Sequence, residues 1–244
     1  MIESNIATLY AEDSTAILTI SNGKKNLLTE PEFIDTDVFE NWIASHPKLN
    51  SLIITGAGKH FSHGADVSLF QNAQETQTIS AKLERARELL RKIEQLPLVT
   101  VAAINGGCFG GGMEIALSCQ FRICSKRSFF GLTEIMHGVV PGMGGMERLY
   151  SLVGKEKALM MCLGGEMMSA SDAEKYGLVT AVTENDCLTE AKEFVKTLTA
   201  DKTVLQVRSI VDTINRAQKG ETDPSKGKFE AVLQEILDKK SEND

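Results

Sequence analysis

The chain has 244 residues, 42% of them hydrophobic and 24% charged, with a formal net charge of −7. That balance belongs to a folded globular protein and leaves no global basic field, which argues against nucleic acid as the main partner. No run approaches the roughly 18 apolar residues of a membrane span and the amino terminus has no basic patch leading into an apolar stretch, so no membrane association and a cytoplasmic location are expected.

Residues 15–20, Thr-Ala-Ile-Leu-Thr-Ile, read as a strand stopped by the turn Ser21-Asn22-Gly23. A polar, acidic helix is expected over about 32–44. Residues 51–55, Ser-Leu-Ile-Ile-Thr, form a compact apolar run suited to a buried strand, and Gly56-Ala57-Gly58 leads it into the turn Phe61-Ser62-His63-Gly64-Ala65-Asp66. Residues 78–95 place Ile79, Leu83, Leu89, Leu90 and Ile93 among many charges, the pattern of an amphipathic helix, and Leu96-Pro97 ends it. The β-branched run 99–104 delivers the chain into a second glycine turn, Gly106-Gly107-Cys108-Phe109-Gly110-Gly111-Gly112. A helix over 113–119 and a strand over 121–124 follow, and this strand, turn, helix, strand order predicts a layered α/β domain.

The stretch from Gly138 to Gly145 holds four glycines and Pro141, so it is expected to be a loop with close backbone contacts. Helices are predicted over 149–161 and 171–176, the second opened by Ser171 and Glu174 in capping-box spacing, and a strand over 177–182. After about Asp186 the composition shifts to helix formers, interrupted over 220–228, with a solvated tail over 238–244. The expected division is a core over 1–186 and a helical region over 187–244. The five cysteines are odd in number and lack Cys-x-x-Cys spacing, which suits buried thiols, and neither they nor the histidines have metal-ligand spacing.

The chemistry is concentrated at the two glycine turns. Glycine lets backbone approach a ligand closely, so two such turns can aim N–H groups at one developing negative oxygen. The second turn runs into Glu114, and Glu134 lies 134 − 114 = 20 residues later. Two main-chain donors and two carboxylates suit acid–base chemistry beside a carbonyl. Gly-x-Gly-x-x-Gly, Walker and Gly-x-Ser-x-Gly patterns are absent, which weighs against dinucleotide, ATP and serine hydrolase chemistry.

These segments, together with Phe130-Gly131-Leu132-Thr133-Glu134-Ile135, Pro141-Gly142-Met143-Gly144-Gly145 and the Ala-x-x-Ala-x-x-x-Gly-Leu-Val run from Ala170, resemble the enoyl-CoA hydratase/isomerase, or crotonase, superfamily, in order from about Ser14 to Val182. The resemblance implies a spiral of ββα units with a helical carboxy-terminal region used in assembly as homotrimers or paired trimers. It also implies reversible addition of water to a 2-enoyl thioester, with the Ala65 and Gly111 amides as oxyanion donors, Glu114 activating water and Glu134 supplying a proton. No cofactor is expected: coenzyme A enters as part of a thioester substrate, and the partner expected is an acyl-CoA or an acyl-carrier-protein substrate.

Further substrate contacts are expected from the first turn, at Ser62, His63, Gly64 and Asp66, and from Gly110 in the second. His137 and Gly142 follow from the loop after Glu134. Asp66 is also expected to cap the next helix, and residues 70–78 to help set the acyl pocket. Thr133 stands where the family carries proline, and the familiar Phe-x-x-Lys-Arg-x-Pro ending is absent. Isomerase, dehydratase, carrier-linked decarboxylase and non-catalytic binding members therefore stay open as alternatives.

Overall fold

A computed structural model describes residues 1–66 and 76–241. Strands β1 (Ile2–Glu3), β2 (Ala7–Glu12) and β3 (Thr15–Ile20) pair antiparallel, helix α1 (Thr36–Ala44) follows, and β4 (Ser51–Gly56) then pairs parallel with β3. Helix α2 (Thr76–Gln95) crosses to β5 (Val99–Ile104), which continues through β6 (Gly107–Phe109) into helix α3 (Gly111–Leu117). Next come β7 (Phe121–Ser125), β8 (Phe129–Gly131), a 3-10 turn at Glu134–His137, and helix α4 (Gly145–Gly164). The rest is β9 (Met168–Ser169), α5 (Ala170–Lys175), β10 (Ala181–Thr183) and the helices α6 (Cys187–Thr199), α7 (Val204–Gln218) and α8 (Lys228–Ser241).

The main sheet has the order β1-β2-β3-β4-β5-β7-β10, and a second sheet has the order β6-β8-β9. From β3 onward the main sheet is parallel, so its strands are covered on both faces and read as unbroken apolar runs. Side chains alternate between faces. Leu52, Ile54, Ala102 and Ile104 join the core beneath α1, α2 and α3, whereas Ile53, Val101, Ala103 and Ile123 meet Cys187, Ala191 and Val195 of α6. The helical region expected after Asp186 therefore begins inside the core.

Several boundaries differ from expectation for local reasons. Helix α1 starts at Thr36 because the Asp35 side chain caps it, accepting from Val38 N, and Glu32 reaches forward to Thr36. Helix α3 starts at Gly111 rather than residue 113. The cap of α5 is Ser169, whose Oγ accepts from Asp172 N, not Ser171. Helix α4 is broken at Gly154, with φ 77° and ψ 172°. Helix α8 continues through Ser241, where a solvated tail was expected; residues 242–244 lie outside the described residues, as does most of the expected acyl-pocket segment over 70–78. No described helix is long and apolar enough to cross a membrane.

Candidate active site

Parallel strands β4 and β5 end side by side, so the loops after Gly56 and Ile104 emerge on one edge of the sheet, where open α/β sheets form their crevices. The first loop is tied down by Asn26. It is fully buried with φ 49°, and its Nδ2 lies within hydrogen-bond distance of the carbonyls of Ala57, His60 and Phe61 at 2.9, 2.8 and 3.2 Å. Ser62, also fully buried, donates its hydroxyl to Asn26 O at 2.7 Å and accepts from Gly64 N at 3.1 Å. Its hydroxyl thus braces the turn internally.

The turn then lies against the second one. A β-carbon on Gly64 (φ +79°) would stand 2.8 Å from Phe109 O and 3.0 Å from Gly111 N, so only glycine fits. Ala65 makes an isolated parallel bridge with Leu28, using Gly64 O and Asp66 N; in a parallel bridge this leaves the bridged residue's own N–H facing the other way. Gly111 is the first residue of α3, so its N–H has no intrahelical acceptor and sits at the positive end of the helix dipole. The helix that Asp66 was expected to cap lies outside the described residues.

Glu114, on the first turn of α3, is 2% exposed. Its Oε1 accepts from the N–H groups of Met143 and Gly145 at 2.7 and 2.9 Å. Burial raises its pKa, and those two hydrogen bonds with the nearby Arg148 charge oppose the rise. Glu134 opens the 3-10 turn, and its Oε2 is buried without a hydrogen-bond partner. Burial and then the Glu114 charge push its pKa up to about 7. Two neighbouring carboxyls thus receive different surroundings, the usual way to hold one ionised and one protonated near neutrality.

The other expected contacts are placed less uniformly. The His63 ring packs edge-on against His60 and Phe109, with centroids 4.5 and 5.1 Å apart, and its Nε2 is buried without a partner. Burial, then the charges of His60 and Lys25, lower its pKa. His137 is exposed at the end of the 3-10 turn, and no hydrogen bond joins it to Glu134. Gly142 turns its carbonyl away from Glu114, to Arg87 Nε at 2.6 Å. Sequence reasoning missed the amides of Met143 and Gly145 as the partners of Glu114, although the glycine-rich loop itself announced close backbone contacts. It also missed Asn26, whose only signal was its place just after the turn at Asn22.

A cavity of about 750 Å³ opens behind the loop, lined by Arg87, Leu117, Met143, Gly144 and Arg148 among others. Neither carboxylate lines it, so the site is placed at the carboxylates and glycine turns. Among the described residues no group of three or more His, Cys, Asp or Glu is placed to hold a metal ion.

The Enoyl-CoA hydratase/isomerase family profile matches residues 11–243. A "Probable enoyl-CoA hydratase" of Bacillus subtilis (strain 168) is 34% identical over 190 residues, covering 77% of this chain and 74% of that protein. The "Fatty acid oxidation complex subunit alpha" of Aliivibrio fischeri (strain ATCC 700601 / ES114) is 36% identical over 177 residues, covering 70% of this chain but 26% of that longer protein. The crystal structure of an enoyl-CoA hydratase from Polaromonas sp. JS666 superposes with a TM-score of 0.81 at 27% identity, covering 95% of this chain and 91% of that one. With its fold shared along nearly the whole length and the family profile spanning almost every residue, this chain belongs to the enoyl-CoA hydratase/isomerase family.

Proposed function

We propose that the protein is an enoyl thioester hydratase, adding water reversibly across the double bond of a 2-enoyl-CoA. The observation that carries this reading is the pair Glu114 and Glu134. One is held by two amides that favour its carboxylate; the other has an unpartnered Oε2 and a pKa pushed up to about 7. Glu114 takes a proton from the attacking water, and Glu134 delivers one to the α-carbon. Negative charge moving onto the thioester oxygen is met by the amides of Ala65 and Gly111, each such donor contributing roughly 3 to 4 kcal/mol to the transition state. Gly64 and Gly110 supply backbone surface against which an acyl group lies without a side chain in the way, and His63, whose pKa burial lowers, stands within the first turn.

The test is loss of conjugated thioester absorbance with crotonyl-CoA. Glu114→Gln and Glu134→Gln are each expected to lower kcat by about 10²- to 10⁴-fold, the usual contribution of a positioned acid or base. Absence of turnover with every short or medium enoyl-CoA overturns the reading, and product mass spectrometry separates hydration from isomerisation and decarboxylation. Exposed apolar side chains on α4, α7 and α8, among them Tyr150, Leu163, Ile214 and Phe229, support self-association, which we read as a homotrimer or a pair of trimers, distinguished by light scattering after size exclusion.

A further inference from the structure

The loop that grips Glu114 has two faces. Toward the site, the N–H groups of Met143 and Gly145 donate to Oε1. On the far side, Arg87 Nε from α2 donates to Gly142 O at 2.6 Å, and Arg148 Nη1 from the first turn of α4 donates to Met143 O at 2.9 Å. The Gly142 carbonyl and the Met143 N–H belong to one peptide unit. Arg87 and Glu114 therefore sit at opposite ends of a single amide dipole, a series in which each hydrogen bond polarises the next.

Gly144 and Gly145 fit this sandwich. A β-carbon on Gly144 (φ +87°) would lie 2.8 Å from Arg148 Nη1, and one on Gly145 would lie 2.6 Å from Glu114 Cγ. Arg148 is itself anchored, with 12% of its side chain exposed and its Nη2 3.1 Å from Glu94. Arg87 is 44% exposed and pairs with Glu84 at 2.9 Å. Neither arginine bonds to either carboxylate of the site.

We propose that Arg87 and Arg148 are positioning residues for Glu114: Arg87 fixes from behind the Gly142–Met143 peptide unit whose N–H holds Oε1, and Arg148 fixes the Met143–Gly144 unit that lies between the two donating N–H groups. The inference rests on the reading of Glu114 as an acid–base group. Arg148 is the nearby cation whose charge opposes the effect of burial on Glu114, and Glu134 and the neutral Cys162 thiol are the other titratable groups within electrostatic reach of it. Arg87 acts on it through the Gly142–Met143 peptide, so removing either arginine leaves its carboxylate with less to oppose burial.

The experiment is a ¹³C NMR titration of the Glu114 carboxyl in a Glu134→Gln background, assigned by difference from Glu114→Gln, with Arg87→Met, Arg148→Met and Arg148→Lys added singly. Both methionine variants are expected to raise the midpoint by about half a unit or more, each unit reflecting a differential interaction of the two protonation states. In the otherwise wild-type enzyme they are expected to lower kcat about tenfold with KM within about twofold, the mark of an interaction used in the transition state. Arg148→Lys restores the midpoint but only part of kcat, because an ammonium lacks the planar fork. An unchanged midpoint in Arg87→Met and in Arg148→Met overturns the proposal, as does a kcat loss that merely follows a lowered Tm. Arg87 is exposed, so its variant folds even where Arg148→Met does not. The titration needs no substrate and stands even if no thioester is hydrated.

Discussion

Gly110 lies directly under the carboxylate of Glu134: a β-carbon at this position would stand 3.2 Å from Oε1 and 3.6 Å from the carboxyl carbon. The same glycine has φ 51° and ψ −130° and lends its carbonyl to the Glu114 amide at 3.0 Å. One backbone residue thus spaces the two acids. Gly110→Ala is expected to displace Glu134 and lower kcat by more than about tenfold, given how steeply catalysis depends on placement. A variant with wild-type kcat removes the spacing role.

Glu134 also makes stability depend on pH. Its native pKa of about 7 exceeds the ordinary 4.5, so the folded state binds the proton more tightly. The stabilisation is full below the ordinary value and is lost as pH rises from there through about 7. Glu114, also raised, adds in the same direction. Melting curves should therefore show Glu134→Gln gaining on the wild type between pH 5 and pH 8, at roughly 2–4 °C per kcal/mol for a domain of this size. A gap between the two proteins that stays constant with pH contradicts the shifted carboxyl.

Gly64 and Gly177 separate conformational strain from collision. Both have positive φ, +79° and +74°, but a β-carbon on Gly177 meets nothing within 4 Å while one on Gly64 strikes Phe109 O and Gly111 N. Gly177→Ala is expected to cost about 1–2 kcal/mol from the left-handed backbone alone. Gly64→Ala should cost roughly 1–3 kcal/mol more through overpacking and should also impair turnover. Equal denaturation midpoints for the two variants would contradict the close packing of the two turns.

Ser62→Ala tests whether the buried hydroxyl serves the turn or the substrate. Deleting it strands a buried Asn26 carbonyl and the Gly64 amide, at an expected cost of about 1–3 kcal/mol. KM for the thioester should move by less than about twofold, since the lost contact is internal. A large rise in KM with unchanged stability would return Ser62 to the substrate.

The sequence was most legible where one force decided the structure. Ser51–Gly56 and Val99–Ile104 are buried on every residue, so an unbroken apolar run could only be a central strand. Strands β6, β8 and β9 have two or three residues each and show no periodicity to read; they exist because Gly107–Phe109 pairs with Phe129–Gly131. Helix α3 begins on two glycines, poor helix formers whose placement follows from the turn before them rather than from propensity. The candidate acids and glycine turns stood out because their residue types are chemically suggestive. Arg87 and Arg148 did not: in sequence one is one more charge on a helix and the other a charge just ahead of one, and the carbonyl that Arg87 holds lies 55 residues away.

The lengths of the outermost strands have a bearing on how this chain avoids edge-to-edge strand pairing in water. The main sheet is flanked by β1, with two residues, and β10, with three, while the six-residue apolar strands Ser51–Gly56 and Val99–Ile104 are enclosed between neighbours. Unpaired backbone along an outer strand is what templates amyloid-like stacking, and brevity is one way proteins blunt it. The segments with the greatest tendency to aggregate are thereby kept out of reach of other molecules once the fold is complete.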